Sequence, residues 1–181
     1  VAASTEPPGG LTRAQTPQHI VFGFDDYFVL EGNNWLVNTL SAPRLNPDGT
    51  PIHHTFAVVG INIAGPNIDY QGYRDSLINA NARGHEISNH SWDHQAVPSD
   101  YQSWFLNVQR CDVVLSKPVA EKGLGLPVVW GFRAAFDAYS TAMFQVLHDL
   151  GYVYDSSILQ GWRLPSSIPA NTLYPHTLES G

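Results

Sequence analysis

His19-Ile-Val-Phe-Gly-Phe24 is a short apolar run that stops against two carboxylates, Asp25 and Asp26. A run of this length without polar alternation reads as a buried strand ending at a polar edge. Further short strands are expected downstream, at His54 to Val59, Glu86 to Ser91, Val128 to Arg133 and Tyr152 to Ser157. Between these runs the apolar spacing changes to that of helices. Tyr70, Tyr73, Leu77 and Ile78 form a stripe ending before Gly84, and Trp104, Phe105, Val108, Cys111, Val114 and Leu115 form another, closed by Pro118. Ser140 opens a third helix carrying Met143, Val146, Leu147 and Leu150, with Gly151 at its end. Residues 27–53 read as a long loop holding the turn Asn46-Pro-Asp-Gly49. Five strands alternating with helices predict an α/β fold built on a parallel sheet.

The polar residues fall in one place on this plan. Asp25 and Asp26, His90 and His94, Arg133, and Asp155 each lie at or just past the end of an expected strand. In parallel α/β folds that carboxyl edge is where chemistry is assembled. Composition narrows the partners. The 181 residues carry 9 basic and 16 acidic side chains, a net charge of −7, which argues against nucleic acid and anionic membranes. No apolar stretch reaches the ~20 residues of a membrane helix. With Cys111 alone, neither a disulfide framework nor a cysteine metal cluster can form within the chain. The polar, proline-containing lead before His19 reads as an extended leader over 1–18, ahead of one domain over 19–181, and together with the sparse lysine it suits a secreted, extracellular or periplasmic protein.

His90-Ser-Trp-Asp-His94 sets two imidazoles four residues apart, so both can face one ion. The spacing alone fits two hydrogen-bonded histidines at a turn equally well. Adjacent carboxylates at an apolar rim repel unless a cation relieves them. One aspartate joining the two histidines would give a divalent site with open positions, and the other would be free to take a proton from water. Arg133 would hold that base ionised, and Asp155 could orient a further acid or base. The ligand types favour zinc, with cobalt or iron accepted by the same set.

Phe24-Asp-Asp26, His90-Ser-Trp-Asp-His94, Arg133-Ala-Ala-Phe136 and Tyr154-Asp-Ser-Ser157 resemble, in order, four motifs of the polysaccharide deacetylase family, the NodB-like carbohydrate esterases. Asn46-Pro-Asp-Gly-Thr-Pro-Ile52 before His54-Thr-Phe56, with Gly84-His-Glu-Ile87, is similar to its chitin deacetylase-like branch. The resemblance implies a distorted (β/α) barrel of about seven strands, incomplete here at its C-terminal end. It implies removal of acetyl groups from an N-acetylglucosamine polymer or oligomer such as chitin or peptidoglycan. Asp25 would be the general base tethered by Arg133, and Asp26, His90 and His94 the metal ligands. A backbone N–H after Arg133 would stabilise the oxyanion, and Asp155 would hold the general-acid histidine. Alternatives on the same scaffold are acetylated xylan, a small cyclic amide, or a catalytically silent carbohydrate-binding relative.

Ala135 stands where the family usually has proline, and Thr50 where animal chitin deacetylases have cysteine. The general-acid histidine motif is not visible. His176 is the only late histidine, in a setting unlike that motif, so the expectation is either a second polypeptide that supplies the rest of the barrel or a truncated barrel. Phe136, Trp35 and Trp162 are the candidates for stacking on a sugar ring. Trp104 and Trp130 read as core, and Trp92 as a buttress of the site. His53 and His54 read as surface or supporting residues, and His85 as structural. Asn89-His-Ser91 matches a glycosylation sequon that its setting should leave unmodified.

Overall fold

The computed structural model describes residues 10–12, 14–16, 20–26, 30–64, 70–94, 98 and 100–158. The chain divides into a unit of residues 1–20 with 159–181, and a unit of residues 21–158. In the first, Thr12 N–H and Oγ1 both bond Gln15 Oε1. Most of the expected leader, and both Trp162 and His176, lie outside the described residues.

The second unit is α/β. Its strands are β1 (Gly23–Asp25), β2 (Thr55–Val58), β3 (Glu86–Asn89), β4 (Gly131–Phe132) and β5 (Tyr154–Asp155). All four pairings are parallel and follow chain order, β1-β2-β3-β4-β5. Five parallel strands with intervening helices match the incomplete (β/α) barrel that the resemblance implies. The pairs Asp25↔Ala57, Ala57↔Ser88, Asn89↔Phe132 and Phe132↔Asp155 keep the strand ends level, so their carboxyl ends share one rim.

The three longest helices, at 70–82, 101–116 and 141–149, form where the apolar spacing places them. α1 (Leu30–Trp35) runs into a π-helical stretch over Leu36–Ser41, followed by α2 (Ile61–Ala64), α3 (Tyr70–Ala82), α4 (Tyr101–Ser116) and α5 (Thr141–Asp149). Asp100 caps α4 by accepting from Ser103 N–H at 2.9 Å, and Ser140 caps α5 by accepting from Met143 N–H at 3.2 Å. The sheet and helices enclose two apolar clusters. One joins Phe56, Val58 and Ile87 to Leu77, Cys111 and Leu115; the other joins Phe132 to Trp104, Val108, Met143 and Val146.

Four expectations need correction. The segment after Asp26 is not loop throughout, because residues 30–41 are helical and bury Asn33, Leu36, Val37 and Ser41. The first strand is not buried, since β1 pairs on one side only among the described residues and Val21 is 80% exposed. Trp130 precedes the two-residue β4 and is 53% exposed rather than core. His54 is buried, with its ring edge-on to Phe24 and stacked on His85. Trp104 and His85 are buried as expected. Among the described residues no helix is long and apolar enough to cross a membrane.

Candidate metal centre

Three strands end at the site. β1 delivers Asp25 and Asp26, β3 leads into His90, and β4 leads into Arg133. Asp26 faces both imidazoles, Oδ1 lying 3.4 Å from His90 Nε2 and Oδ2 lying 3.0 Å from His94 Nε2. One ligand atom from each of the three residues falls within 4.8 Å of the others. Asp25 receives Arg133 Nε, while Arg133 Nη2 bonds Asp137 Oδ1 at 2.5 Å and Nη1 bonds Ser156 O at 2.5 Å. These groups border a cleft of about 280 Å³ lined by Asp25, Asp26, His90, His94, Ala134, Phe136 and Asp137.

The donor set suits a divalent cation. His90 Nδ1 lies 2.7 Å from the Arg133 carbonyl oxygen, which can only accept, so Nδ1 carries the proton and Nε2 presents its lone pair to Asp26. Burial holds the His90 pKa below its ordinary value, which favours the neutral ring. A neutral imidazole lone pair and a carboxylate then converge with no proton between them, an arrangement that a positive ion relieves. Two imidazoles and one carboxylate are the ligand types of zinc, cobalt and iron sites.

The backbone around the site is held in unusual conformations. Among the described residues, six that are not glycine have positive φ, and five of them are here: Asp26 (55°), Ser91 (68°), His94 (50°), Phe136 (59°) and Asp137 (52°). Left-handed backbone costs roughly 1–2 kcal/mol for residues with a Cβ and persists only where surrounding contacts enforce it. Those contacts are visible. Gly60 N–H bonds Ser91 O at 3.0 Å, Ile61 N–H bonds Trp92 O at 2.7 Å, and Trp92 N–H bonds Asn107 Oδ1 at 2.6 Å. Trp92 lies under the Arg110 guanidinium, 4.2 Å from the ring centroid.

The remaining candidates are placed differently. Phe136 is 66% exposed, with its ring 4.6 Å from that of His94. Trp35 ends α1 as an exposed side chain and does not line the cleft. Asp155 accepts from Ser157 N–H at 3.1 Å and Oγ at 2.5 Å, and Ser157 Oγ in turn accepts from Ala134 N–H at 2.7 Å. Burial pushes the Asp155 carboxyl up, and the Ser157 hydrogen bonds oppose it. Among the described residues no third imidazole lines the cleft. Sequence reasoning misses Asp137, although its position four residues after Arg133 could have flagged an ion pair. It also misses Asn89, Asp112 and Tyr152, and no spacing rule links them.

Residues 13–154 match the family model described as polysaccharide deacetylase. Three solved structures share the fold. A family 4 carbohydrate esterase pseudoenzyme from Bacillus anthracis aligns with TM-score 0.57 at 11% identity, over 75% of this chain and 41% of that one. A family 4 carbohydrate esterase from Streptomyces lividans, solved with acetate, aligns with TM-score 0.53 at 15% identity, over 74% and 59%. A peptidoglycan deacetylase from Bacillus subtilis aligns with TM-score 0.52 at 18% identity, over 69% and 52%. The chain thus spans about four- to six-tenths of the length of these structures. No curated protein matches it in sequence.

Proposed function

The chain belongs to the polysaccharide deacetylase family, and on that premise we propose that it is a metal-dependent hydrolase that removes acetyl groups from an N-acetylglucosamine polymer or oligomer, of chitin type. The observation that carries this reading is the convergence of Asp26, His90 and His94 on one focus, beside an Asp25 that Arg133 holds in place. Asp26, His90 and His94 would hold a divalent cation, zinc before cobalt or iron, which when bound acidifies water and polarises a carbonyl.

This chain's own groups do the rest. Asp25 takes the proton of the attacking water, and the guanidinium holds its carboxylate in aim. Ala134 N–H is engaged by Ser157 Oγ and Asp137 N–H by Ala134 O. That leaves Ala135 and Phe136 N–H as the backbone donors to meet the developing oxyanion. The exposed Phe136 ring offers a sugar face an apolar platform next to the reacting centre.

The test is acetate release from chitin oligomers, peptidoglycan and acetylated xylan by protein loaded with zinc. Release from the N-acetylglucosamine substrates supports the proposal. Release from xylan alone moves the activity to an O-acetyl ester. Zinc binding with no release from any substrate assigns a silent, carbohydrate-binding role.

A further inference from the structure

Asn89 is fully buried at the end of β3, immediately before the ligand His90. Its Oδ1 accepts from Ser91 N–H at 2.7 Å, the residue on the far side of His90, and thereby holds Ser91 in its left-handed turn. Its Nδ2 meets three acceptors: Val108 O at 3.0 Å, Asp112 Oδ1 at 2.9 Å and Tyr152 Oη at 2.8 Å. The Tyr152 hydroxyl donates to the same Asp112 Oδ1 at 2.5 Å. The trio therefore ties α4, the approach to β5 and the end of β3 into one buried knot, none of whose members lines the cleft.

The knot lies against the turn that carries His90. The backbone on both sides of His90 is fixed, Arg133 N–H bonding Asn89 O at 3.0 Å and Gly60 N–H bonding Ser91 O at 3.0 Å. His90 N–H itself bonds Val58 O at 3.0 Å, and the Asn89 side chain closes the turn onto Ser91. An amide with one accepting oxygen can do this only in one orientation, and Asp112 and Tyr152, with the Val108 carbonyl, select it by offering acceptors to Nδ2.

We propose that Asp112 and Tyr152, acting through Asn89, are positioning residues that aim His90 at the metal focus. This rests on the metal-site reading above. Burial raises the Asp112 carboxyl, and its bonds from Tyr152 and Asn89 oppose that rise.

The experiment titrates zinc into chelator-treated full chain by calorimetry, wild type first. Asp112→Leu, which removes the acceptor, should weaken zinc binding about 10–100-fold, as loss of a ligand-orienting partner does. Asp112→Asn keeps an oxygen able to accept from Asn89 and Tyr152, and should restore binding to within about threefold. Leu115→Val trims the core face of the same helix away from the knot; it should lower urea resistance yet leave zinc affinity unchanged. The His90 ring nitrogens of the metal-free protein give a second readout: one tautomer in wild type, exchange between two in Asp112→Leu. Equal zinc affinity and an unchanged tautomer in Asp112→Leu, or equal weakening in Leu115→Val, would overturn the proposal. Wild type that binds no zinc defeats the metal-site reading itself, and the tautomer measurement still judges the knot.

Discussion

Arg133 bonds Asp25 through Nε across 108 residues of chain. The same guanidinium holds Asp137 and the Ser156 carbonyl, so three loops of the rim meet on one cation. The orientation of Asp25 is thus a property of the folded rim and not of its own strand.

Asp25→Asn should lower acetate release by about 10²–10⁴-fold, the usual contribution of a positioned base. Zinc binding by calorimetry should stay near that of wild type, because Asp25 is not among the three converging ligands. Retained turnover would remove Asp25 from the proton-transfer role.

Chelator treatment should abolish acetate release, and zinc or cobalt should restore it. His94→Ala should lose tight zinc binding while keeping the far-ultraviolet circular dichroism of the fold, since His94 is only partly buried and lies outside both apolar clusters. Full activity after verified metal removal would refute metal dependence.

The reach of sequence alone is clearest at the strand ends. β1 and β4 are legible as apolar runs that end at Asp25 and Arg133, and the alternation of strand and helix segments sets His90 and Asp155 on the same rim. Residues 30–41 are not legible as helix, because Leu30-Glu-Gly-Asn-Asn-Trp35 carries poor helix formers whose order comes from packing. His54 misleads for a related reason. Its polar type suggests exposure, while its aromatic neighbours Phe24 and His85, and Phe56 beside them, converge only in three dimensions. Asp112 and Tyr152 are 40 residues apart, and nothing local announces their contact.

Phe136→Ala should raise KM for chitin oligomers about 2–10-fold, the equivalent of roughly 0.5–1.5 kcal/mol of ring contact, with less change in kcat. Steady-state kinetics on oligomers of rising length tests this. An unaltered KM would take the ring out of substrate binding.

Gly60→Ala should destabilise the unit by about 1–3 kcal/mol, as overpacking does. A Cβ there would come within 2.7 Å of Trp92 Cε3 and 3.1 Å of Cys111 Cα, between the His loop and α4. Urea denaturation measures the loss, and an unchanged midpoint would contradict the tight approach.

Acid should weaken the fold through His85. Burial, helped by the neighbouring His54, His53 and Arg83, holds its pKa at about 4, and burial lowers His54 too. The unfolded chain takes up these protons near pH ~6.5, the folded chain takes up that of His85 only near 4. Stability is therefore full above pH ~6.5 and falls as the pH drops towards 4, by up to roughly 1.4 kcal/mol per pH unit for each proton. Urea midpoints at pH ~7.5 and ~5 should differ accordingly, and His85→Gln should flatten the dependence. A flat wild-type profile would argue against the buried neutral ring.

The five left-handed residues at the rim set heat tolerance against turnover. Glycine would sit in those conformations at least cost, so a library selected for melting temperature alone should accumulate it at 94 and 136. Each such gain deletes an imidazole or a ring. Variants confined to this rim should therefore trade thermal resistance for catalysis almost one for one, whereas changes in the two apolar clusters are free to improve the first without touching the second.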